Sequence, residues 1–276
     1  MPCGRVAIDL MGGDLSPQLL LESLELLDLD LLLIGPSSLA KHTRHRYLST
    51  PTCIEPDESP LHAIRRKRDA SLLLGLRAVR DGAAHALISC GNTGALAFGS
   101  KMILGMQPGI LRPALCTLLP TKKHPLAVLD LGAIVPCKAA HLVQFASLGA
   151  AFQKARGLAH PRVGLLNIGT EPLKGTSDRR TAYRQLQKPH ADYAFVGNVE
   201  ARHAFEGNLD VLVTDGFTGN IFLKTAEGVA DFLGPQCAAY SASSGAYLLG
   251  VQGTVIKCHG YATPEAIGRA VIQAVS

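Results

Sequence analysis

The sequence predicts an α/β fold, a mainly parallel sheet with helices on both faces. Strand-length apolar runs alternate with helix-like segments almost without interruption along the 276 residues. Two of those runs end in matched glycine turns that open a helix: Ser89-Cys90-Gly91-Asn92-Thr93-Gly94-Ala95 and Thr214-Asp215-Gly216-Phe217-Thr218-Gly219-Asn220. Apolar residues make up 47% of the chain, enough for a substantial core in one large α/β domain or two small ones.

Each element follows from local pattern. Val6-Ala7-Ile8 is the first strand and ends in Asp9-Leu10-Met11-Gly12-Gly13-Asp14. Ser16-Pro17 opens a leucine-rich helix running to about Asp28, since Ser caps well and Pro suits the first turn. Leu31-Leu32-Leu33-Ile34 is a buried strand stopped by Gly35-Pro36, and the basic stretch from Lys41 to Arg46 leads through a Pro-containing loop to a helix starting near Ser59-Pro60. A helix over Leu72 to Val79 precedes the strand that delivers Ser89. The runs Ala114 to Leu119 and Ala127 to Leu131 read as adjacent strands joined by the basic turn Thr121 to Pro125, and Ala139 to Ala155 as a helix. Strands follow at Val163 to Leu166, near Tyr193 to Val196 and at Val211 to Val213, and Thr263-Pro264 opens a final helix toward Ala274. The chain reads as a single α/β domain over residues 1–276, without a low-complexity linker or a repeat beyond the paired turns.

Glycine lets the turn backbone approach a ligand, and the next helix presents unpaired N–H groups and a positive dipole end. Each turn is therefore a place for an anion, although glycine also simply closes short strand-helix turns. G-x-G-x-x-G is absent from both, and no G-K-[ST] follows, so neither is a dinucleotide or a Walker loop. A simpler phosphate or a polar acyl group fits better.

Composition narrows the class. A net charge of +5 with no Trp and 5% aromatics is poor equipment for nucleic acid. Arg65-Arg66-Lys67-Arg68 is either a solvated helix face or a patch that steers an acidic partner. Seven scattered cysteines without a C-x-x-C pair read as reduced thiols of a cytosolic protein. No signal-peptide pattern opens the sequence, and no apolar run reaches the roughly 20 residues of a membrane span. The histidines lack metal-ligand spacing, and no cofactor is implied.

Polar residues gather at the carboxyl ends of the strands, where open α/β sheets bind ligands. They are Asp9, Gly12, Gly13 and Asp14, then Gly91, Asn92, Thr93 and Gly94, then Asp130 with Gly132, Asn167 and Lys174, then Asp215, Gly216, Thr218, Gly219 and Asn220, and last Lys257 and His259. A lone Asp or Asn there also serves as a helix cap, and His259 is equally a general base or a partner-bound structural residue.

Ile8 to Asp14, Arg65-Arg66-Lys67, Cys90 to Ala95, Arg112-Pro113-Ala114, Leu165 to Gly169, Lys174-Gly175, Gly197 to Glu200, Asp215 to Asn220, Leu223 to Gly228 and His259-Gly260 together resemble, in order, the bacterial phosphate acyltransferase family PlsX. The resemblance covers nearly the whole chain. It implies transfer of a fatty acyl chain from acyl carrier protein to inorganic phosphate, giving acyl phosphate for phospholipid synthesis. It also implies a three-layer α/β/α fold related to isocitrate and isopropylmalate dehydrogenases and to phosphotransacetylase, in a homodimer lying against the membrane. A membrane acyl-phosphate:glycerol-3-phosphate acyltransferase is the implied downstream partner.

That chemistry needs N–H donors and a cation for phosphate, and donors for the developing oxyanion. Lys174 is the expected cation, with Asn92, Asn167 and Asn220 as donors. His259 or Asp215 orients phosphate or protonates the leaving thiolate, while Arg65, Arg66 and Lys67 meet the acidic carrier protein. Cys90 is the rival nucleophile, but no His partner for it is evident in the sequence.

Two departures stand out. Ile134 replaces an expected Asn, predicting one lost polar contact to substrate. The segment 229–244 replaces a longer helical excursion, with Gly234-Pro235 ending a helix early, which predicts weaker self-association and weaker membrane association. An active acyltransferase, a weakened scaffold that binds acyl carrier protein or a lipid-synthesis partner, and a nicotinamide-dependent dehydrogenase are the readings carried forward; the missing dinucleotide fingerprint counts against the last.

Overall fold

The computed structural model describes residues 4–234 and 245–275. They fall into two compact units, one from residues up to 108 together with the C-terminal segment, the other starting at Gly109. Each has its own run of sheet.

In the first unit the strands are β1 (Val6–Asp9), β2 (Leu31–Gly35), β3 (Arg46–Ser49), β4 (Ala86–Ser89), β10 (Ala246–Leu249) and β11 (Thr254–Lys257). They lie in the order β3-β2-β1-β4-β11-β10, parallel except for the β10–β11 pair. Alternation along the strands decides which face each side chain meets. Val6, Ile8, Leu31, Leu33, Ala86, Ile88 and Ile256 pack against α1 (Pro17–Leu24) and the C-terminal helix α8 (Pro264–Val275). The opposite face carries Ile34 and Leu87, which meet Gly75 of α3 (Ser71–Arg80), and α4 (Thr93–Ile103) packs on α3. Helices on both faces make this unit three layers, as the sequence implies. α1 begins at Pro17 with the Ser16 hydroxyl accepting from the Leu19 N–H at 3.3 Å, but ends at Leu24 rather than Asp28. β3 is a strand the pattern did not reveal, because its Arg-Tyr-Leu-Ser is mostly exposed and polar. The basic cluster lies at the end of α2 (Pro60–Arg66).

In the second unit β5 (Ala114–Leu119) and β6 (Leu126–Leu129) form the expected adjacent pair, antiparallel, followed by β9 (Val211–Val213), β7 (Arg162–Leu166) and β8 (Ala194–Val199), all parallel to β6. α5 spans Ala139–Ala155, the range read from sequence, and buries Phe145 completely. Its Gly149 brings the helix down onto Val211 and Leu129. α6 (Ser177–Leu186) packs beside α5, and α7 (Gly216–Leu233) follows β9. α7 ends at Gly234, whose φ is +85°. Positions 235–244 of the shortened 229–244 segment lie outside the described residues. No described helix is long and apolar enough to cross a membrane.

β6 runs directly into the carboxylate on which the second unit's loop is folded. Asp130, fully buried, accepts from the backbone N–H groups of Leu115 (2.9 Å), Gly132 (3.2 Å), Ala133 (3.0 Å) and Ile134 (2.7 Å). Burial nonetheless outweighs those bonds and raises its pKa to about 6. The unfolded carboxyl releases its proton near 3.8, so between there and about 6 the native state holds more protons, and stability falls as pH rises through that window.

Two outcomes follow. Phe145→Ala removes a fully buried ring and is expected to cost about 3–5 kcal/mol, read as a lower urea midpoint at unchanged slope. Asp130→Asn sets an NH2 against N–H donors and should cost roughly 1–3 kcal/mol. Urea unfolding from pH 4 to 6 should also show the wild type losing stability relative to the variant as pH rises, by that one-proton slope.

Candidate functional site

Each unit places one glycine turn at a strand end. In the first, the buried Asp9 ends β1 and accepts from the Met11 N–H at 3.1 Å and the Ser89 hydroxyl at 2.7 Å, while Ser89 accepts from the Gly91 N–H at 3.0 Å. Burial drives the Asp9 pKa up, against the hydrogen bonds and the positive charge of Lys257. Gly12 packs so closely that a Cβ there would sit 2.6 Å from the Gly91 nitrogen. Gly13 lies against Cys90, and the Asp14 N–H bonds the Gly260 carbonyl at 2.8 Å. The candidates of the first and second motifs therefore meet. Lys257 joins them, its Nζ donating to the Cys90 carbonyl at 3.1 Å. His259 stacks on Tyr261 with ring centroids 5.2 Å apart.

Asn92 caps α4, accepting from the Ala95 N–H at 3.0 Å. Its Nδ2 lies 3.1 to 3.3 Å from the carbonyls of Glu55, Pro56 and Glu58, so the amide fastens the 55–58 loop to the helix start. Thr93 and Gly94 form the first turn, Gly94 tight against Pro60. Nearby, Lys67 pairs with Glu58 at 2.6 Å and donates to the Cys53 carbonyl, whereas Arg65 and Arg66 are exposed. The Cys90 thiol is held down by a hydrogen bond from Cys258, against its own burial; the same bond pushes Cys258 up. Its thiol partner is thus another cysteine.

The second turn caps α7. Asp215 accepts from the Thr218 N–H at 2.9 Å and the Thr218 hydroxyl at 2.8 Å, and pairs closely with Arg179. Burial would raise its pKa, but the Thr218 bonds and the Arg179 charge prevail and hold it below the ordinary carboxylate range. Asp215 is therefore an anion at neutral pH. Arg179 Nη2 also donates to Thr218 Oγ1 at 3.1 Å, and its Nε to the Leu166 carbonyl at 3.2 Å. Gly219 passes beneath the Asp130 carbonyl, where a Cβ would lie 1.9 Å from the oxygen, and Gly216 bonds the Ile134 carbonyl at 3.1 Å. Ile134 thus serves the loop through its backbone N–H and C=O. Asn220 is exposed beside Gly132.

The Lys174 loop is held by two asparagines. Asn167 donates to the Lys174 carbonyl at 3.1 Å and accepts from the Ile168 N–H at 2.9 Å; the buried Asn198 donates to the Glu171 carbonyl at 2.8 Å. Gly175 turns the chain at φ +84°, so close to Asn167 that a Cβ would meet its Oδ1. The Lys174 side chain is half exposed, 3.9 Å from Glu171.

A cavity of about 830 Å³ opens here, lined by Asn167, Gly175, Thr176, Arg179 and Thr218 on its polar side and by Ile168, Ile221 and Phe222 on the other. Lys174 does not line it. Arg179 does, and sequence reasoning missed it because α6 was missed. That helix is polar along most of its length and buries only Ala182, Tyr183 and Leu186. Its signal was the cap: Thr176 accepts from the Arg179 N–H at 3.3 Å, with Asp178 in the first turn. No cluster of His, Cys, Asp or Glu among the described residues could hold a metal.

Residues 4–239 match the family model described as fatty acid synthesis protein. Curated phosphate acyltransferases of Staphylococcus aureus and Staphylococcus saprophyticus are 38% and 39% identical to this chain, covering 98% of it and 93% of their own length. Both alignments span 306 positions, more than this chain has, so the relatives carry residues that it lacks. Among solved structures, a phosphotransacetylase from Streptococcus pyogenes superposes with TM-score 0.71 at 17% identity over 98% of this chain and 93% of its own. Isocitrate dehydrogenase from Methylococcus capsulatus gives 0.51 at 13%, over 98% and 83%. These structural likenesses give the fold, which is the dehydrogenase-like α/β class the sequence implies. The chain belongs to the fatty acid synthesis protein family and, within it, to the phosphate acyltransferases.

Proposed function

We propose that the chain transfers a fatty acyl group from acyl carrier protein to inorganic phosphate, releasing acyl phosphate for phospholipid synthesis. The observation that carries this reading is the cavity at the start of α7, where Arg179 is fixed by Asp215 and Thr218 beside the positive end of the helix dipole. A phosphate there meets a guanidinium and a positive helix end. Both favour the dianion.

Phosphate oxygen attacks the thioester carbonyl, the C–O bond forms, the C–S bond breaks, and the proton of hydrogen phosphate passes to the departing thiolate. The nucleophile is already anionic, so the residues need to hold it and stabilise the oxyanion rather than remove a proton. Asp215, ionised and bonded to Thr218 and Arg179, is a positioning group. Lys174 reaches the oxyanion when its loosely paired side chain swings from Glu171. Arg65 and Arg66, exposed on α2, attract the acidic carrier protein, and Lys67 orders the loop beneath them. A membrane acyl-phosphate:glycerol-3-phosphate acyltransferase consumes the product.

The assay is phosphate-dependent release of carrier-protein thiol from a long-chain acyl carrier protein, with acyl phosphate trapped by hydroxylamine. Arg179→Ala should lower kcat/KM for phosphate at least about tenfold, chiefly through KM. Lys174→Ala should lower kcat by a similar factor, since one transition-state charge contact is worth about 1.4 kcal/mol or more. Thiol release without phosphate dependence would sink the assignment. Unchanged turnover of the lysine variant at low phosphate would remove Lys174 from the chemistry.

A further inference from the structure

We infer that an apolar groove along the flank of α7 is the channel for the hydrocarbon chain of the acyl substrate. This rests on the phosphate acyltransfer reading and deepens it. A second cavity, of about 500 Å³, shares Ala201, Phe222 and Thr225 with the Arg179 cavity, so the two adjoin. One wall is a single stripe of α7: Phe222, Thr225, Ala226, Val229, Ala230 and Leu233. Spacings of three and four place them on one face of the helix. The other wall is the 3-10 turn Ala201–Glu206, through Ala201, Arg202 and Phe205. Among the described residues of the lining Arg202 is the one that carries charge, and its guanidinium pairs with Glu200 at 3.0 Å.

The polarity runs one way. Arg179, Thr218 and the start of α7 lie at the polar end, and the lining turns apolar as the helix proceeds. Phe205 and Phe222 stack at the junction, centroids 5.5 Å apart and planes 17° from parallel. Beyond them Ala226 and Ala230 contribute small side chains, leaving a furrow between Phe222 and Leu233. From Phe222 to Leu233 the helix advances about 16 Å, and extended carbon–carbon bonds fit roughly a dozen methylenes into that length. An acyl group bound for a phosphate has this shape: a charged, reacting head and an unbranched apolar tail. A partner helix or a second copy would account for the apolar stripe. It would not account for the stripe's sharing a wall with the cavity proposed for the reacting head.

Each methylene that enters the groove should raise kcat/KM about fourfold until the groove is filled. The test compares butyryl and palmitoyl donors on acyl carrier protein, with wild type, Ala226→Phe and Val229→Asp. The phenyl ring blocks the furrow one helical turn past Phe222, and the carboxylate, at a half-exposed position, puts a charge against the chain. The palmitoyl-to-butyryl ratio of kcat/KM should fall at least tenfold in both variants. Binding of a dansyl-labelled undecanoic acid, displaced by palmitate and measured without phosphate or carrier protein, should weaken at least tenfold as well. An unmoved ratio and unmoved fatty-acid binding would overturn the groove while leaving phosphate acyltransfer in place. If no donor transfers its acyl group to phosphate, the activity reading falls and the fatty-acid titration alone decides the groove. Variants that change only the sedimentation coefficient would assign this face to a second copy of the chain and overturn the inference.

Discussion

A buried carboxylate must be hydrogen-bonded or protonated, and the second unit is built around how Asp130 meets that demand. Its two oxygens gather four backbone N–H groups, three of them from consecutive residues of the following loop. The loop is then narrow enough for α7 to start against it, with Gly216 on the Ile134 carbonyl and Gly219 under the Asp130 carbonyl. Asp9 plays a related part in the first unit, where it orders the Met11 turn and, through Ser89, the Gly91 turn. In both units the glycines permit helix and loop to approach. The carboxylate decides where they stop.

Ion pairing follows from that frame. Arg179 and Asp215 are both mostly buried, where an isolated charge of either sign would be costly. Each finds the other, and Thr218 bonds to both. A guanidinium so held gains little by moving and loses little rotamer freedom when an anion arrives. A lysine on a half-exposed loop has the opposite character, since ordering its long side chain costs entropy. The pocket itself is thus lined by a fixed cation, while the mobile one stands on the neighbouring loop.

How much of this was legible in the sequence depends on the range of the interaction. The strand-helix alternation, the full span of α5 and the caps at Ser16, Asn92 and Asp215 are local, and each could be read from a few neighbours. The Asn92 amide was readable as a cap but not as a clamp, because the carbonyls it holds lie 34 to 37 residues away. The Asn167 bond to the Lys174 carbonyl, which fixes a loop, was likewise not readable. β3 and α6 escaped because their residues are largely polar and a hydrophobic period needs buried positions to show itself. With α6 went Arg179, the cation that lines the cavity. What Ile134 gives the loop was not readable from its side-chain type, because it is made by backbone atoms that any residue supplies.

α7 shows why one segment can carry two chemistries without conflict. Its first turn must bond the Ile134 carbonyl and fit beneath Asp130, which demands Gly216, Gly219 and a capping Asp215. From Phe222 onward those constraints are gone and the helix is free to present a period of its own. Leu223, Glu227 and Ala230 are buried, while Phe222, Thr225, Ala226 and Val229 line the groove. Glu227, at the boundary, pairs with Lys224 at 2.7 Å, one turn earlier on the same helix. Because the polar start and the apolar flank are successive stretches of one rigid rod, the distance between an anion at its N-terminus and a hydrocarbon along its side is fixed by helical rise. Discrimination by chain length then requires no moving part, only the size of the side chains that stand along that rod.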